Sequence, residues 1–353
     1  MTALEPEIVE ATTLCTPSGR LDGRAIGFSR VPLHRCNLWP RGWLRQKRWN
    51  YWCVTTDECV FAITLADVGY LTLAVASTFD LATAKWTEKA VVLPLSRGLS
   101  FPETVRGGDL RFDRFGLRIA ITEESDGTRL VAAFLQRGER VRADILVNRD
   151  TESLNVVVPT APPPLGGVVN TWGRSDRHFQ FTSKAVALPA SGEIASGAKR
   201  YAVGAATRAF ACLDFGRGVW PYRTRWQWAA AAGVEHGRTV GVNFGGEWTR
   251  GTGMTENGLF VDGRLHKISD DVEVTRAASG APCRIRTREG ASALVDVRVT
   301  ARHRRDVAMN AGVLASSLHW VLGDFSGRIV TADGFAIELR GLCGWAEDHV
   351  ARW

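Results

Sequence analysis

Apolar and polar residues alternate in short runs along most of this chain. Successive side chains of a strand face opposite sides, so this period predicts half-buried β-strands. Phe115–Thr122 and Thr128–Leu135 flank Asp126-Gly127, a dipeptide that favours a tight hairpin turn. Leu259–Val261 and Arg264–Ile268 flank Asp262-Gly263, and Gly327–Thr331 and Phe335–Leu339 flank Asp333-Gly334. Helical spacing is sparse: Arg304–Leu318 carries Val307, Met309, Val313 and Leu314, but Gly312 interrupts it. Many short antiparallel strands with few helices predict an all-β protein made of barrels or sandwiches.

Two stretches resemble each other. Trp39-Pro40 precedes Arg48-Trp49-Asn50-Tyr51-Trp52 and the apolar run Val60–Leu65. Trp220-Pro221 precedes Arg225-Trp226-Gln227-Trp228, a gap holding His236-Gly237, and the run Thr239–Phe244. The Arg-Trp pairs lie 177 residues apart (225 − 48) in a chain of 353. A repeat of that length implies two similar domains rather than a solenoid. The run Pro162-Pro163-Pro164 lies near the midpoint, and consecutive prolines cannot join a sheet ladder. The expected division is an N-terminal segment (1–19), a first barrel-like domain (20–160), a Pro-rich linker (161–167) and a second barrel-like domain (168–353).

Composition narrows the class. An apolar fraction of 45% and a charged fraction of 23% are those of a globular protein. The formal charge is +7, and 38 of the 44 basic residues are arginine. They are interleaved with Asp and Glu rather than gathered in a stripe, which argues against nucleic acid as a partner. One local cluster, Arg41, Arg45, Lys47 and Arg48 beside Trp39, Trp43, Trp49 and Trp52, suits an anionic headgroup or peripheral contact with a membrane. Glu5, Glu7 and Glu10 stand where a signal peptide would be basic and apolar, and no run reaches a membrane span. Seven cysteines without a Cys-x-x-Cys pair read as reduced thiols, so a cytoplasmic location is expected. No two histidines have helical metal-ligand spacing, so no metal is expected. No P-loop, Gly-x-Ser-x-Gly or dinucleotide fingerprint occurs, so no cofactor is expected either.

Arg24–Arg30, Arg48–Trp52, Asp214–Gly218, Gly241–Asn257 and Gly344–His349, in that order, resemble the domain-of-unknown-function family 2804 over nearly the whole chain. The Trp-rich early strand and a Gly-aromatic-x-Glu near residue 345 are more distantly similar to the carotenoid-hydratase-like proteins. That resemblance implies a calycin-type fold: two lipocalin-like antiparallel barrels packed together, arisen by internal duplication. It transfers no catalytic residue.

The segment Asp214–Asn257 is richest in candidate chemistry. By parity, Trp220, Trp226 and Trp228 share one strand face, and Arg223, Arg225 and Gln227 the other. If hairpin neighbours agree on the wet face, Asn243, Glu247 and Thr249 join the arginines, and Phe244 and Trp248 oppose them. A crowd of glycines, Gly245-Gly246 and Gly251-x-Gly253 among them, suggests a sharply bent strand. Glu247 is the candidate acid, with Arg225 or Asn243 to orient it. Arg223, Trp220, Trp226, Trp228 and Trp248 are candidate ligand contacts, as are Glu256 and Asn257. Asp214 with Arg217 reads as a structural ion pair. Glu347 and His349 share a face and form a candidate acid–base pair, or a salt bridge closing the last strand. Tryptophans serve equally as core filler, as a barrel–barrel interface or as a ligand surface. Three functions follow: lyase, hydratase or isomerase chemistry on a lipid or isoprenoid-like molecule; non-catalytic binding of a hydrophobic ligand; or carbohydrate binding or hydrolysis.

Overall fold

The computed structural model describes residues 5–38, 43–95, 98–160, 177–277 and 282–353. Among these, regular structure is β-strand apart from three single 3-10 turns. The N-terminal stretch supplies β1 (Thr12–Thr13), β2 (Gly27–Ser29) and β3 (His34–Arg35). A meander follows: β4 (Gln46–Thr55), β5 (Cys59–Asp67), β6 (Leu71–Asp80) and β7 (Lys85–Pro94). Next come β8 (Leu110–Arg114), β9 (Leu117–Glu124), β10 (Gly127–Gln136), β11 (Glu139–Val147) and β12 (Leu154–Pro159). The long β13 (Phe179–Ser196), β14 (Lys199–Val203) and β15 (Phe210–Val219) complete the first sheet, whose main order is β7-β6-β5-β4-β15-β13-β11-β10-β9-β8. It curls until β7 packs beside β9 and β10.

The second sheet begins with its own meander: β16 (Arg223–Glu235), β17 (Arg238–Gly246), β18 (Asn257–Val261) and β19 (Arg264–Ile268). It continues through β20 (Val272–Arg276), β21 (Pro282–Thr287), β22 (Leu294–Ala311), β23 (Leu314–Val330) and β24 (Ala336–Arg352). Its order is β19-β18-β17-β16-β24-β23-β22-β21-β20, and β20 returns to pack against β17. The protein is thus all-β, two lipocalin-like antiparallel barrels packed together.

The duplication is visible in the strand order. β4 and β16 each open a four-strand meander, and each is flanked on its other side by the last strand of its unit, β15 or β24. Arg48-Trp49 and Arg225-Trp226 stand at the third and fourth positions of those strands. The expected boundary at 161–167 is corrected. β13, β14 and β15 hydrogen-bond into the first sheet, so the chain passes to the second barrel only after Val219. The proline run, which falls in sequence between β12 and β13, lies outside the described residues. Arg304–Leu318 is no helix: β22 and β23 form a long hairpin that turns at Gly312, where φ is +71°.

Alternation sets up three apolar layers. On β4, Trp52 and Val54 point into the first barrel, whereas Cys53 faces the second. On β16, Ala229 and Ala231 fill the second barrel, whereas Trp228, Ala230 and Ala232 face the first. The third layer, between the barrels, joins Phe79, Leu154, Val186, Phe260, Leu322 and Trp345. A bidentate Arg305–Glu88 pair (2.9 and 3.0 Å) clamps the junction, with Arg305 stacked on Trp86. Seven cysteines are free thiols. No helix among the described residues is long and apolar enough to cross a membrane.

Candidate functional site

The two meanders meet back to back, and polar groups gather where they meet. Across the first barrel's outer face, register places Lys184, Asp214, Tyr51 and Thr64 in one row over β13, β15, β4 and β5. Across the facing sheet, Trp228, Glu347 and Trp320 form a row over β16, β24 and β23, with Trp226, His349 and Leu318 in the next. Tyr51 bridges the junction, its ring 5.6 Å from Trp228 and 6.2 Å from Trp345.

Lys184 is the electrostatic centre. Its Nζ lies 2.9 Å from Asp214 and 3.3 Å from Glu256, and 4.1 Å from the centre of the Trp228 ring. Burial opposes its charge, but the two carboxylates outweigh burial and hold the ammonium above its usual range. Glu256 is buried too; burial raises its pKa against the pull of Lys184. Its Oε1 accepts from the Trp248 indole at 2.6 Å. Gly245 makes room for it, since a Cβ there would stand 2.0 Å from that oxygen.

Glu347 differs from these carboxylates because no cation among the described residues touches it. Its Oε1 accepts from the Trp226 indole at 2.9 Å. Burial among aromatic rings pushes it up to about 7, only partly offset by that indole and by Lys184. The same Trp226 ring packs 4.1 Å from His349, whose Nε2 lies 2.7 Å from Ser316 Oγ. Burial lowers His349 to about 4, so its ring is neutral at neutral pH. Burial also holds the Tyr51 phenol well above its usual range.

Beside this cluster lies an open groove of about 820 Å³. Trp220 and Trp248, 5.6 Å apart, border both groove and cluster. Trp220 is also where the two repeats touch: its ring lies 6.0 Å from Trp49 and 6.2 Å from Trp226.

Of the residues expected from sequence, Trp220, Trp226, Trp228, Trp248, Glu256, Glu347 and His349 are brought together here. Asn243 belongs with them, not with the arginines. His236 (φ +51°) and Gly237 (φ +76°) form a two-residue turn that pairs Glu235 with Arg238. That register sets Asn243 opposite Ala230, on the tryptophan face, where it accepts from the Trp228 indole at 2.8 Å and donates to the Glu256 carbonyl at 2.6 Å. Arg225 is on the opposite face, bonded to Asp348, which Gln227 and Arg276 also bind. Burial alone would raise Asp348, but these donors hold it below the usual range. Glu247 lies beyond the end of β17 at φ +69°, pairs with Arg250 at 3.2 Å and borders the groove with Arg223 and Arg225. Asn257 is a structural clamp, accepting from Gly245 N–H and donating to the Asp270 carbonyl. Arg217 does not pair with Asp214; it donates to the carbonyls of Trp49, Gly216 and Pro102 and to Asn50.

The described members of the early basic cluster have partners within the protein. Arg45 bonds the Trp353 carbonyl, Lys47 donates to the Val68 carbonyl at 2.6 Å, and Arg48 pairs with Asp67. Trp39 and Arg41 lie outside the described residues. Among the described residues no three His, Cys, Asp or Glu side chains are placed to hold a metal.

Sequence reading missed Lys184 and Tyr51 as site residues. A signal existed for the lysine. The chain has six lysines against 38 arginines, and three of the six, Lys47, Lys184 and Lys267, have buried ends. A compact ammonium between two carboxylates is a place where an arginine fork does not fit.

Two packed lipocalin-like barrels with an acid-bearing aromatic junction define the class of protein. The chain belongs to the family described as domain of unknown function DUF2804, matched over residues 5–353. A candidate AttH protein from Nitrosomonas europaea has a similar structure: TM-score 0.50 at 15% identity, over 86% of this chain and 92% of that one. Kievitone hydratase from Nectria haematococca is similar with TM-score 0.47 at 14% identity, over 87% of this chain and 88% of that one. At 15% identity the likeness to the AttH structure is one of fold. No curated protein matches the chain.

Proposed function

We propose that the protein is a proton-transfer enzyme, a hydratase, lyase or isomerase, acting on a hydrophobic small molecule at the barrel junction. One observation carries the reading: Glu347, a carboxyl among tryptophans with a pKa near 7, sits one indole ring from the neutral His349. A carboxyl that still carries its proton in a substantial share of molecules at neutral pH is suited to general acid catalysis. In dehydration, Glu347 gives its proton to the substrate hydroxyl, the C–O bond breaks and water leaves. His349 takes a proton from the neighbouring carbon as the C=C bond forms. Hydration is the reverse. Isomerisation uses the same two groups, with protonation at one alkene carbon and loss of a proton from another. The tryptophan walls stabilise an apolar, electron-poor intermediate, since aromatic faces attract positive charge. Lys184, Asp214 and Glu256 form a positioning network behind them. This places the acid at Glu347 instead of Glu247, whose carboxylate is engaged by Arg250.

The test is isotope incorporation. Protein incubated with a pool of unsaturated and tertiary-alcohol lipids in H₂¹⁸O and D₂O is expected to place ¹⁸O or deuterium in specific products. Glu347→Gln keeps the shape and the indole bond, and is expected to abolish incorporation while melting as a folded protein. Absence of label with the native chain, or undiminished label with the variant, overturns the reading.

A further inference from the structure

Two arginines face each other at the rim of the groove. Arg223 on β16 is the direct cross-strand partner of Arg352 on β24. Like charges placed directly opposite on neighbouring strands destabilise a sheet. Arg223 has no hydrogen-bonding or ionic partner among the described residues, and Arg352 reaches only the Gly312 carbonyl, at 3.1 Å. Both line the groove, as do Arg225 and Arg250. The single carboxylate in the described lining, Glu247, is taken by Arg250, and Asp348 beneath is shared by Arg225 and Arg276. Among the groove's described arginines, Arg223 and Arg352 are thus the two with no carboxylate beside them. Trp220, Trp248, Met309 and Val350 supply apolar surface in the same groove.

We infer that the groove binds a hydrophobic molecule ending in an anionic group, a free carboxylate amphiphile, with Arg223 and Arg352 closing on its oxygens. Guanidinium forks match carboxylate geometry and make charge-assisted bonds. An anion between the two arginines also removes their mutual repulsion, which water and salt only screen. The inference rests on the proposed proton-transfer reading, adds that substrate reaches Glu347 by way of this groove, and names the substrate class: an acid whose apolar body lies on Trp220 and Trp248 and extends toward the junction.

The probes are dodecanoate, dodecanol and dodecyltrimethylammonium, each titrated as monomer by tryptophan fluorescence and calorimetry. Dodecanoate is expected to bind at least about tenfold tighter than dodecanol. In the double variant Arg223→Gln/Arg352→Gln that advantage is expected to vanish, with dodecanol binding unchanged. Because one of two facing like charges is removed, Arg223→Gln alone is expected to leave the ligand-free Tm unchanged or raise it. Equal binding of the three probes, an advantage that survives the double variant, or a clear fall in the ligand-free Tm of Arg223→Gln each overturn the inference. So does arginine-dependent sedimentation with phosphatidylglycerol vesicles in the absence of dodecanoate binding, which would assign the pair to a membrane surface. Dodecanoate has no double bond or hydroxyl to react, so its binding tests the groove apart from the chemistry. Intact dodecanoate binding with no isotope incorporation would fail the enzyme reading alone.

Discussion

The Trp226 indole donates to Glu347 at 2.9 Å while its ring face packs 4.1 Å from His349. One side chain thus holds the candidate acid and shields the candidate base. Trp226→Phe keeps most of the packing and removes the donor. Without that bond the charged form of Glu347 loses support, so its pKa is expected to rise further. The alkaline limb of a pH–rate profile should move to higher pH in the variant. An unmoved limb would mean that Glu347 does not set it.

Glu347 and His349 pull the stability curve in opposite directions. Glu347 is raised from 4.5 to about 7, so the stability it contributes is present below pH 4.5 and lost as pH rises through about 7. His349 is lowered from 6.5 to about 4, so its contribution is present above pH 6.5 and lost as pH falls through about 4. Between these limits the two slopes offset each other. Glu347→Gln should therefore make Tm fall on acidification from pH 6.5, and His349→Gln should make Tm fall as pH rises toward 7. Variant curves parallel to the native one would refute the opposition.

Lys184 is the buried cation shared by Asp214 and Glu256. Lys184→Met leaves both carboxylates without it, and breaking a buried pair in this way costs about 3–5 kcal/mol. The loss should be largest near neutral pH and smaller in acid, where the stranded carboxyls accept protons. Urea melts of the variant at two pH values measure this, and equal losses at both would show that the network is not electrostatic.

A methyl group at Gly245 would collide with Glu256 Oε1 at 2.0 Å and Cγ at 2.1 Å. Gly245→Ala is expected to displace that carboxyl from the Trp248 indole and to cost about 1–3 kcal/mol, the usual range for overpacking. A red shift in tryptophan emission should accompany the fall in Tm. Unchanged emission and Tm would mean that the strand moves aside freely.

Strands, hairpins and the duplication were legible in the sequence because they follow from local period and turn chemistry. The β9–β10 hairpin is an example, although it turns at Ser125-Asp126 with Gly127 already paired to Glu124, as is the Arg-Trp pair that recurs on β4 and β16. The division of the chain was not legible. A proline run marks a chain segment outside a ladder, but not which sheet the chain rejoins, and β13 rejoins the first. Face assignment failed at Asn243 for a sharper reason. Parity along one strand is certain, but parity between strands depends on the turn, and a two-residue loop at His236-Gly237 inverted the pairing assumed from polarity. Polarity misled because a buried Asn that gives and takes hydrogen bonds is as comfortable in an interface as an alanine. Glu347 and His349 were legible as a pair on one face; the Trp226 ring between them comes from another strand and follows only from the β16–β24 register.

The order in which strands arrive has a consequence for biosynthesis. β4 finds its neighbour β15 only when residues near 219 exist, and β16 waits likewise for β24. Neither barrel can close from its first half, so both depend on contacts far apart in sequence, which fold slowly. As the chain leaves the ribosome, the finished first barrel offers Tyr51, Cys53, Phe79 and Cys212 to solvent until the second barrel covers them. That interval is when a chaperone, or another nascent copy, would compete for the same surface.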